Sequence, residues 1–312
     1  MDSVIRAERL SKIFRVGFWA RRVQAVQDLS LEVRRGEIFG LLGPNGAGKT
    51  TAIKMLLGFV RPTSGAAWVG GAPAGSIAAR RKLGYLPENP ALYEFLRGDE
   101  YLRFAGKLAG LSSAEASKQA DALLEKVGLT GRADRPIRRF SKGMVQRLGL
   151  AQALVGNPET VILDEPMSGL DPIGRKDVRD LILALRAEGR TVLFSTHILS
   201  DVEAICDRVG IVVEGKLTDC GALADLVEPG ARAVELVVEG APAELLARFQ
   251  GAGASVLLRD RANVVTFSEE EPAQQAVRAV LAANARLVSF TPHRPSLEEL
   301  FVKRARGTAV TS

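Results

Sequence analysis

A glycine-rich segment near the amino terminus has the composition of a phosphate-binding loop. The segment and the threonine after it consist of Gly43, Pro44, Asn45, Gly46, Ala47, Gly48, Lys49, Thr50 and Thr51. Glycines let backbone N–H groups approach a polyphosphate, and the N terminus of a following helix adds its partial positive charge. Lys49 would supply a charge to the β- and γ-phosphates, and the Thr50 hydroxyl would bind Mg²⁺. The segment therefore predicts a polyphosphate site.

Two carboxylates after an apolar run supply the other half of this chemistry. Val161–Leu163 predicts a buried strand, and Asp164 and Glu165 follow it directly. We expect Asp164 to hold Mg²⁺ opposite Thr50, and Glu165 to accept a proton from an attacking water. The alternative is a strand that merely ends in a solvated acidic turn, and a complete phosphate loop nearby disfavours it. The two motifs together predict a P-loop nucleoside triphosphatase and nothing narrower.

The segments around these motifs have the pattern of an α/β core. Ile38–Leu42 is a continuous apolar run, typical of a strand buried on both faces, and a helical stretch, Thr51–Leu57, follows the loop. From about 90 to 158 the pattern is mainly helical, which predicts a helical subdomain. Lys176–Arg186 predicts a crossover helix. Strand patterns occur at Val4–Ile5, Val26–Val33, Val161–Leu163, Val192–Phe194 and Val209–Val213.

The pattern changes after about residue 220, and 231–312 predicts a second, smaller domain. Its elements read as strand, helix, strand, strand, helix, strand, which is the order of a ferredoxin-like α+β unit. They are predicted at Val234–Val238, Ala243–Phe249, Ser255–Leu258, Val264–Phe267, Pro272–Leu281 and Leu287–Phe290. A last helix is predicted from Pro295 to about Arg304. The ATPase domain is accordingly predicted to span 1–220.

Composition narrows the class of protein. Apolar residues make up 46% of the chain and charged residues 25%, which is ordinary for a globular protein. No apolar run reaches the roughly 18 residues of a membrane span, and the first residues lack the layout of a secretory signal. With two cysteines and two histidines in the chain, a zinc or redox site is not expected. The net charge of +6 comes from scattered basic residues, so a nucleic-acid partner is not expected.

Three further motifs flank the acidic strand, and they resemble one family. Phe140–Arg147 precedes the strand, Ser168–Asp171 follows it, and Ser195–His197 closes the next strand. In order, these resemble the signature motif, D-loop and switch histidine of the ATP-binding-cassette (ABC) family. The resemblance covers about residues 3–220. It implies an ABC-type core with a mixed sheet, antiparallel N-terminal strands and a helical subdomain.

The resemblance implies a role for each matching residue. Two subunits would enclose two ATP molecules, each between one subunit's loop and the other's signature segment of Ser141, Lys142, Gly143 and Met144. His197 would contact the γ-phosphate and orient the water together with Glu165, and Asp171 would link the two sites. Phe14 lies where the family places an aromatic residue that stacks on adenine. A core position for Phe14 is the alternative, and Phe18 and Trp19 are competing candidates.

Two motifs depart from the common family pattern. The signature usually reads Ser-Gly-Gly-Gln, so Lys142 and Met144 replace a glycine and a glutamine. Ser141 and Gly143 are retained, and Ser141 is expected to cap a helix whose N terminus faces an anion. The glutamine of the family's Q-loop is Glu88 here. A carboxylate still binds Mg²⁺, so Glu88 is predicted as a metal ligand beside Thr50 and Asp164.

Further segments resemble the bacterial ABC-2-type exporter ATPases, among them Tyr85–Asn89 and Pro295–Phe301. In that branch the ATPase is a separate chain, which implies separate permease subunits above it at the cytoplasmic face of the cell membrane. The two-subunit enclosure of ATP implies a homodimer, or a heterodimer with a second ATPase subunit. ATP binding would close the dimer and move membrane helices docked near Glu88–Phe104. The cargo does not follow from the sequence, nor does any residue chemistry for 231–312.

Three other functions fit the sequence less well. A ribosome-associated cassette protein typically carries two cassettes in one chain, whereas this sequence has one. A DNA-repair cassette ATPase needs a long heptad insertion, and the stretch between Lys49 and Ser141 is too short for it. A module that binds ATP without turnover would not need Glu165 and His197.

Overall fold

A computed structural model of the chain describes residues 3–17, 21–226, 233–259 and 262–293. Two compact units divide the chain, Met1–Leu223 and Ala224–Ser312. Phe18, Trp19 and the helix predicted from Pro295 lie outside the described residues. Across the described ranges, every helix is too short or too polar to span a bilayer.

The first unit alternates strands and helices. Its strands are β1 (Ser3–Val16), β2 (Arg21–Arg34), β3 (Ile38–Leu42), β4 (Ser64–Val69), β5 (Ala72–Pro73), β6 (Leu83–Leu86), β7 (Thr160–Leu163), β8 (Thr191–Thr196), β9 (Arg208–Val213) and β10 (Lys216–Ala222). Its helices are α1 (Lys49–Leu56), α2 (Ile77–Arg80), α3 (Gly98–Leu108), α4 (Ser113–Lys126), α5 (Lys142–Ala153), α6 (Pro172–Ala187) and α7 (Leu199–Ile205). A short helix, α8 (Leu223–Leu226), follows at the division between the units.

A six-stranded sheet forms the centre of this unit, in the order β10-β9-β3-β8-β7-β6. β9, β3, β8, β7 and β6 run parallel to one another, and β10 is antiparallel to β9. All residues of β3 and β7 are buried, as in parallel strands covered on both faces. The carboxyl ends of β3, β7 and β8 therefore lie along one edge of the sheet, the usual position of ligand sites in open α/β sheets.

Each face of this sheet has its own apolar cluster. In β7, Ile162 packs with α1 and the long hairpin β1–β2, while Val161 and Leu163 pack with helices α3 to α6. This division follows from the alternation of side chains along a strand. The hairpin belongs to an antiparallel sheet of order β2-β1-β4-β5. The mixed sheets, antiparallel N-terminal strands and helical segment over α3–α5 confirm the fold class predicted for this part of the chain.

Two helices begin earlier than the sequence pattern predicted. α1 begins at Lys49 because Gly48, at φ 100°, provides a left-handed N-cap that a periodicity argument does not see. α6 begins at Pro172 rather than at Lys176. Asp171 caps it by accepting a hydrogen bond from the Gly174 N–H at 2.8 Å, and proline suits the first helical position.

The second unit follows the predicted element order. Its elements are β11 (Ala233–Glu239), α9 (Ala243–Gly251), β12 (Ser255–Arg259), β13 (Ala262–Phe267), α10 (Glu270–Ala282) and β14 (Arg286–His293). The strands form one antiparallel sheet, β12-β13-β11-β14. Its apolar cluster includes an edge-to-face contact between Phe249 and Phe267, with ring centres 5.6 Å apart.

Candidate nucleotide-binding site

The glycine-rich loop joins the carboxyl end of β3 to the first turn of α1. Two of its glycines are required by the chain's own packing, because a Cβ at Gly43 would lie 2.3 Å from the Val212 carbonyl oxygen and one at Gly48 would lie 2.2 Å from that of Ala25. Gly46 has φ +80° and open space around its Cα. The loop is therefore held tightly at both ends, and its centre is free to approach a ligand.

Lys49 binds the loop to the acidic strand. Its side chain is buried, and Nζ donates hydrogen bonds to the carbonyl oxygens of Gly43 (2.7 Å) and Pro44 (3.2 Å). The same ammonium lies 3.1 Å from Glu165 Oε1, an ion pair that lacks hydrogen-bond geometry. A buried cation thus stands at the mouth of the loop, where polyphosphate charge would be neutralised.

Asp164 meets the loop from the end of β7. Its Oδ1 accepts hydrogen bonds from the Thr50 hydroxyl at 3.1 Å and from the Ser195 hydroxyl at 2.6 Å. Burial raises the pKa of Tyr85, on the next strand, to about 12, and the Asp164 carboxylate adds to that rise. The contact with Thr50 places the Asp164 carboxylate beside the hydroxyl that, with Asp164, was predicted to bind Mg²⁺.

The oxygen donors at this point suit Mg²⁺. Thr50 and Asp164 are in direct contact, and Glu88 lines the same pocket. Among the described residues, no group of three or more His, Cys, Asp or Glu side chains forms an all-protein metal cage. Mg²⁺ is usually held by one or two carboxylates together with substrate phosphates and water, so a sparse set of oxygens is the appropriate one.

Glu165 and His197 form a contact at the same edge of the sheet. Glu165 Oε2 lies 2.9 Å from His197 Nδ1, and residue Glu165 is 6% exposed. Glu165 has φ 48°, a left-handed conformation that is uncommon outside glycine. A carboxylate beside a histidine, open to a polar pocket, can accept a proton from water.

The glycine-rich loop, Glu88, Glu165 and His197 surround one pocket of about 320 Å³. It is lined by Ala25, Asn45, Gly46, Ala47, Gly48, Lys49, Thr50, Thr51, Glu88, Glu165, Ser168 and His197. Ala25 was missed by the sequence reasoning, because nothing in its neighbourhood marks it. Ser168 belongs to the segment that resembles the D-loop, and its N–H donates to the Glu165 carbonyl oxygen at 3.0 Å.

The signature segment does not line this pocket. Ser141 is exposed and caps α5, its hydroxyl accepting a hydrogen bond from the Met144 N–H at 3.3 Å. Lys142 is exposed, and its side chain passes over Gly169, where a Cβ would lie 2.0 Å from Nζ. The Met144 side chain is buried in the apolar cluster, which argues against a nucleotide contact by that side chain. Asp171, also exposed, caps α6.

Phe14 likewise lies outside the pocket lining. It is a half-buried residue of β1, paired with Val23, and the Lys12 ammonium lies 5.0 Å from its ring centre. The structure therefore brings together the loop, both carboxylates, Glu88 and His197. Phe14, Asp171 and the signature segment are not among the residues that line the pocket.

A strand, a glycine-rich loop and a helix, with a lysine at the helix start and an acidic strand beside it, define a P-loop nucleoside triphosphatase. The model of the ABC transporter family matches residues 26–168. The uncharacterized ABC transporter ATP-binding protein sll0415 of Synechocystis sp. is 41% identical, over 99% of this chain and 87% of its own length. The linearmycin resistance ATP-binding protein LnrL of Bacillus subtilis is 36% identical, over 96% of this chain and 97% of its own length.

A solved structure of an ATP-binding subunit of an ABC transporter is also similar. It has 35% identity and a TM-score of 0.63, covering 72% of this chain and 92% of that one. The present chain belongs to the ABC transporter family as an ATP-binding subunit, and it is an ATPase of that family.

Proposed function

We propose that two copies of this chain, or one copy and a second ATPase subunit, enclose two ATP molecules head to tail and thereby drive an exporter. The observation that supports this most directly is at Gly143, in the first turn of α5. A methyl group added there would meet only the Leu170 side chain, at 3.8 Å, so packing within the chain does not require a glycine. Glycine in a helix costs about 1 kcal/mol relative to alanine. Close approach by an outside group accounts for its presence.

The group that suits this position is a phosphate of the ATP bound to the opposite subunit. The N terminus of α5 offers backbone N–H groups and the positive end of the helix dipole, and Ser141 and Lys142 beside it are exposed. The chain's own pocket already holds Lys49, Glu165 and His197. An ATP bound in that pocket would present its γ-phosphate to α5 of the partner, and each subunit would complete the other's site.

Within each site the residues divide the work. Lys49 neutralises the β- and γ-phosphates, and the loop's backbone N–H groups cradle them. Glu165 accepts the proton of the attacking water, while His197, 2.9 Å from Glu165 Oε2, fixes the carboxylate and contacts the γ-phosphate. Thr50, Asp164 and Glu88 would hold Mg²⁺, which supplies charge neutralisation at the phosphates. Loss of the γ-phosphate removes the bridge between subunits, so the dimer opens.

Separate membrane subunits would dock on the helical subdomain, at the cytoplasmic face of the membrane. Tyr93, Phe95 and Phe104 are 61%, 82% and 39% exposed, and the Tyr93 and Phe104 rings are in edge-to-face contact. Exposed aromatic residues in a group mark protein interfaces. They lie within the stretch Glu88–Phe104, which begins at the Q-loop residue Glu88 in the lining of the nucleotide pocket. A membrane subunit docked on these rings would therefore act on a segment that reaches the pocket.

The proposed direction of transport, export rather than import, rests on family resemblance. The relative LnrL is named for linearmycin resistance, and the segments noted above resemble ABC-2-type exporters. We assign the ATPase to 1–220 and an interface or regulatory role to 231–312, an assignment that the division of the chain after Leu223 supports.

The test is Glu165→Gln in the full-length chain. Loss of a general base should lower kcat by roughly 100- to 10,000-fold. ATP affinity should persist, and light scattering with Mg²⁺ and ATP should show a stable dimer because the γ-phosphate is not removed. Glu159→Gln, an exposed residue just before β7, is the matched control and should behave like wild type. Wild-type turnover in Glu165→Gln would show that Glu165 is not the general base. An ATP-loaded variant that stays monomeric would contradict the proposed enclosure of ATP between two subunits.

A further inference from the structure

Ser195 is a fully buried polar residue at the site to which sequence analysis gave no role of its own. It is the residue before last in β8, between the β3 and β7 strands that carry the loop and the acidic pair. Its hydroxyl donates to Asp164 Oδ1 at 2.6 Å and accepts from the Glu165 N–H at 2.9 Å. One side chain therefore contacts both neighbouring carboxylate residues.

The direction of both hydrogen bonds is fixed by chemistry. An ionised carboxylate only accepts and a backbone N–H only donates, so the single Ser195 proton must point to Asp164 and a lone pair must face Glu165. Thr50 donates to the same Asp164 oxygen, at 3.1 Å. Two donors on one oxygen set the plane of the Asp164 carboxylate.

The contact with Glu165 acts on the backbone. Glu165 has φ 48°, and a side chain in this left-handed region persists only where surrounding contacts hold it. The hydrogen bond from its N–H to Ser195 is such a contact. This backbone geometry directs the carboxylate toward Lys49 Nζ, at 3.1 Å, and His197 Nδ1, at 2.9 Å. A shift at the Glu165 backbone would change both distances.

We propose that Ser195 is a positioning residue that couples the orientation of the metal-binding carboxylate, Asp164, to that of the general base, Glu165. This inference rests on the proposed function, which assigns those two roles. Because one hydroxyl serves both residues, its removal should impair two steps together: the contribution of Mg²⁺ to nucleotide binding, and turnover. A purely structural hydroxyl would change stability alone.

β8 offers a matched control at its other end. Thr191 is 1% exposed, and its hydroxyl accepts a hydrogen bond from the Gly36 N–H at 2.9 Å. Thr191→Val removes a buried hydroxyl and a backbone contact from the same strand, away from the pocket. Ser195→Thr is the rescue variant, because it keeps the hydroxyl.

The experiment compares full-length wild type, Ser195→Ala, Ser195→Thr and Thr191→Val. Steady-state ATPase assays give kcat and KM, calorimetry gives the affinity for the non-hydrolysable analogue AMP-PNP with Mg²⁺ and with EDTA, and thermal melting gives Tm. For Ser195→Ala we expect kcat to fall roughly tenfold to a hundredfold, as for loss of buried hydrogen bonds to charged groups. We also expect a smaller gain in affinity on adding Mg²⁺, with unchanged affinity in EDTA. Ser195→Thr should recover most of both, and Thr191→Val should lower Tm only.

Each outcome decides a separate question. If Ser195→Ala resembles Thr191→Val in kcat and in its Mg²⁺ response while wild type hydrolyses ATP, this inference is overturned and the proposed function stands. If Ser195→Thr loses as much as Ser195→Ala at an unchanged Tm, the hydroxyl is not the active feature and the inference is again overturned. A wild-type chain without ATP hydrolysis would overturn the proposed function, and this inference with it.

Discussion

The proposed function assigns nucleotide contacts to two regions of the first unit, and these regions are built in opposite ways. In the phosphate-loop region, Lys49, Asp164 and Glu165 are 5%, 1% and 6% exposed. Lys49 forms an ion pair with Glu165, and the Ser195 hydroxyl hydrogen-bonds to both Asp164 and the Glu165 N–H. In the signature region, Ser141 and Lys142 are exposed, and Gly143 has room for a methyl group. One region is complete within the chain, and the other presents polar groups outward.

The difference agrees with the role that the proposed function gives to each region. Groups that stabilise developing charge are most effective when they are held in place before the reaction, in a site with little water. A surface that binds and releases a partner in every cycle cannot be permanently buried, because its contacts must form only in the closed state. The signature helix is therefore fixed by its serine cap and by the packing of Met144, while its first turn stays accessible.

Lys49→Ala should have the largest effect on the phosphate-loop region. It removes the cation that would face the phosphates and leaves Glu165 Oε1 without the Lys49 ammonium. We expect ATP affinity to fall roughly a hundredfold, as for a lost charge-assisted contact to phosphate, with a lower Tm. Calorimetric titration with ATP measures the affinity.

Lys54→Ala is the matched control, because Lys54 lies on the same helix and is exposed. It should bind ATP like wild type. Unchanged ATP affinity in Lys49→Ala would contradict the assignment of the phosphate loop, and the contrast between the two regions would lose its basis.

Gly143→Ala should damage the signature region without damaging the fold. The added methyl group finds space within the chain, and alanine favours a helix by about 1 kcal/mol over glycine, so Tm should be equal or higher. The methyl group would obstruct the partner's phosphate, so ATP-dependent dimerisation and kcat should fall, the latter at least roughly tenfold, while ATP binding by the monomer persists. Sedimentation and ATPase assays measure the two effects.

Gly251→Ala provides the comparison, since Gly251 ends α9 in the second unit and a Cβ there meets no atom within 4 Å. It should leave dimerisation and turnover unchanged. Wild-type dimerisation and turnover in Gly143→Ala would mean that no outside group approaches this glycine.

Sequence reasoning reached the features that depend on local order. The loop between a buried strand and a helix, the acidic pair after the next buried run and the serine that caps α5 each depend on residues close together in the chain. Parallel packing then places strand ends on one edge of the sheet, so the meeting of Lys49, Asp164 and Glu165 was predictable.

Contacts between distant segments that no motif or strand end marks were not predicted. Ala25 lines the pocket because strand β2 passes so close to Gly48 that a Cβ added there would lie 2.2 Å from the Ala25 carbonyl oxygen. No residue spacing in the sequence predicts this approach. Met144 was grouped with nucleotide-binding residues through its motif, yet its side chain points into the apolar cluster. The same limit hid Ser195, whose partners lie 30 and 31 positions away in the chain.

Removal of 231–312 should have the smallest effect, and it tests whether the contrast belongs to the first unit alone. Both regions lie before Leu223, where the chain divides, and the second unit has its own apolar cluster. A compact unit with its own core is expected to fold by itself, so the shortened chain should melt cooperatively and bind ATP with the affinity of the full chain.

Introducing Lys49→Ala and Gly143→Ala into the shortened chain should reproduce their separate effects on ATP affinity and on turnover. An unfolded shortened chain would place the boundary elsewhere, and retained folding with lost ATP binding would show that the phosphate-loop region is not complete within the first unit.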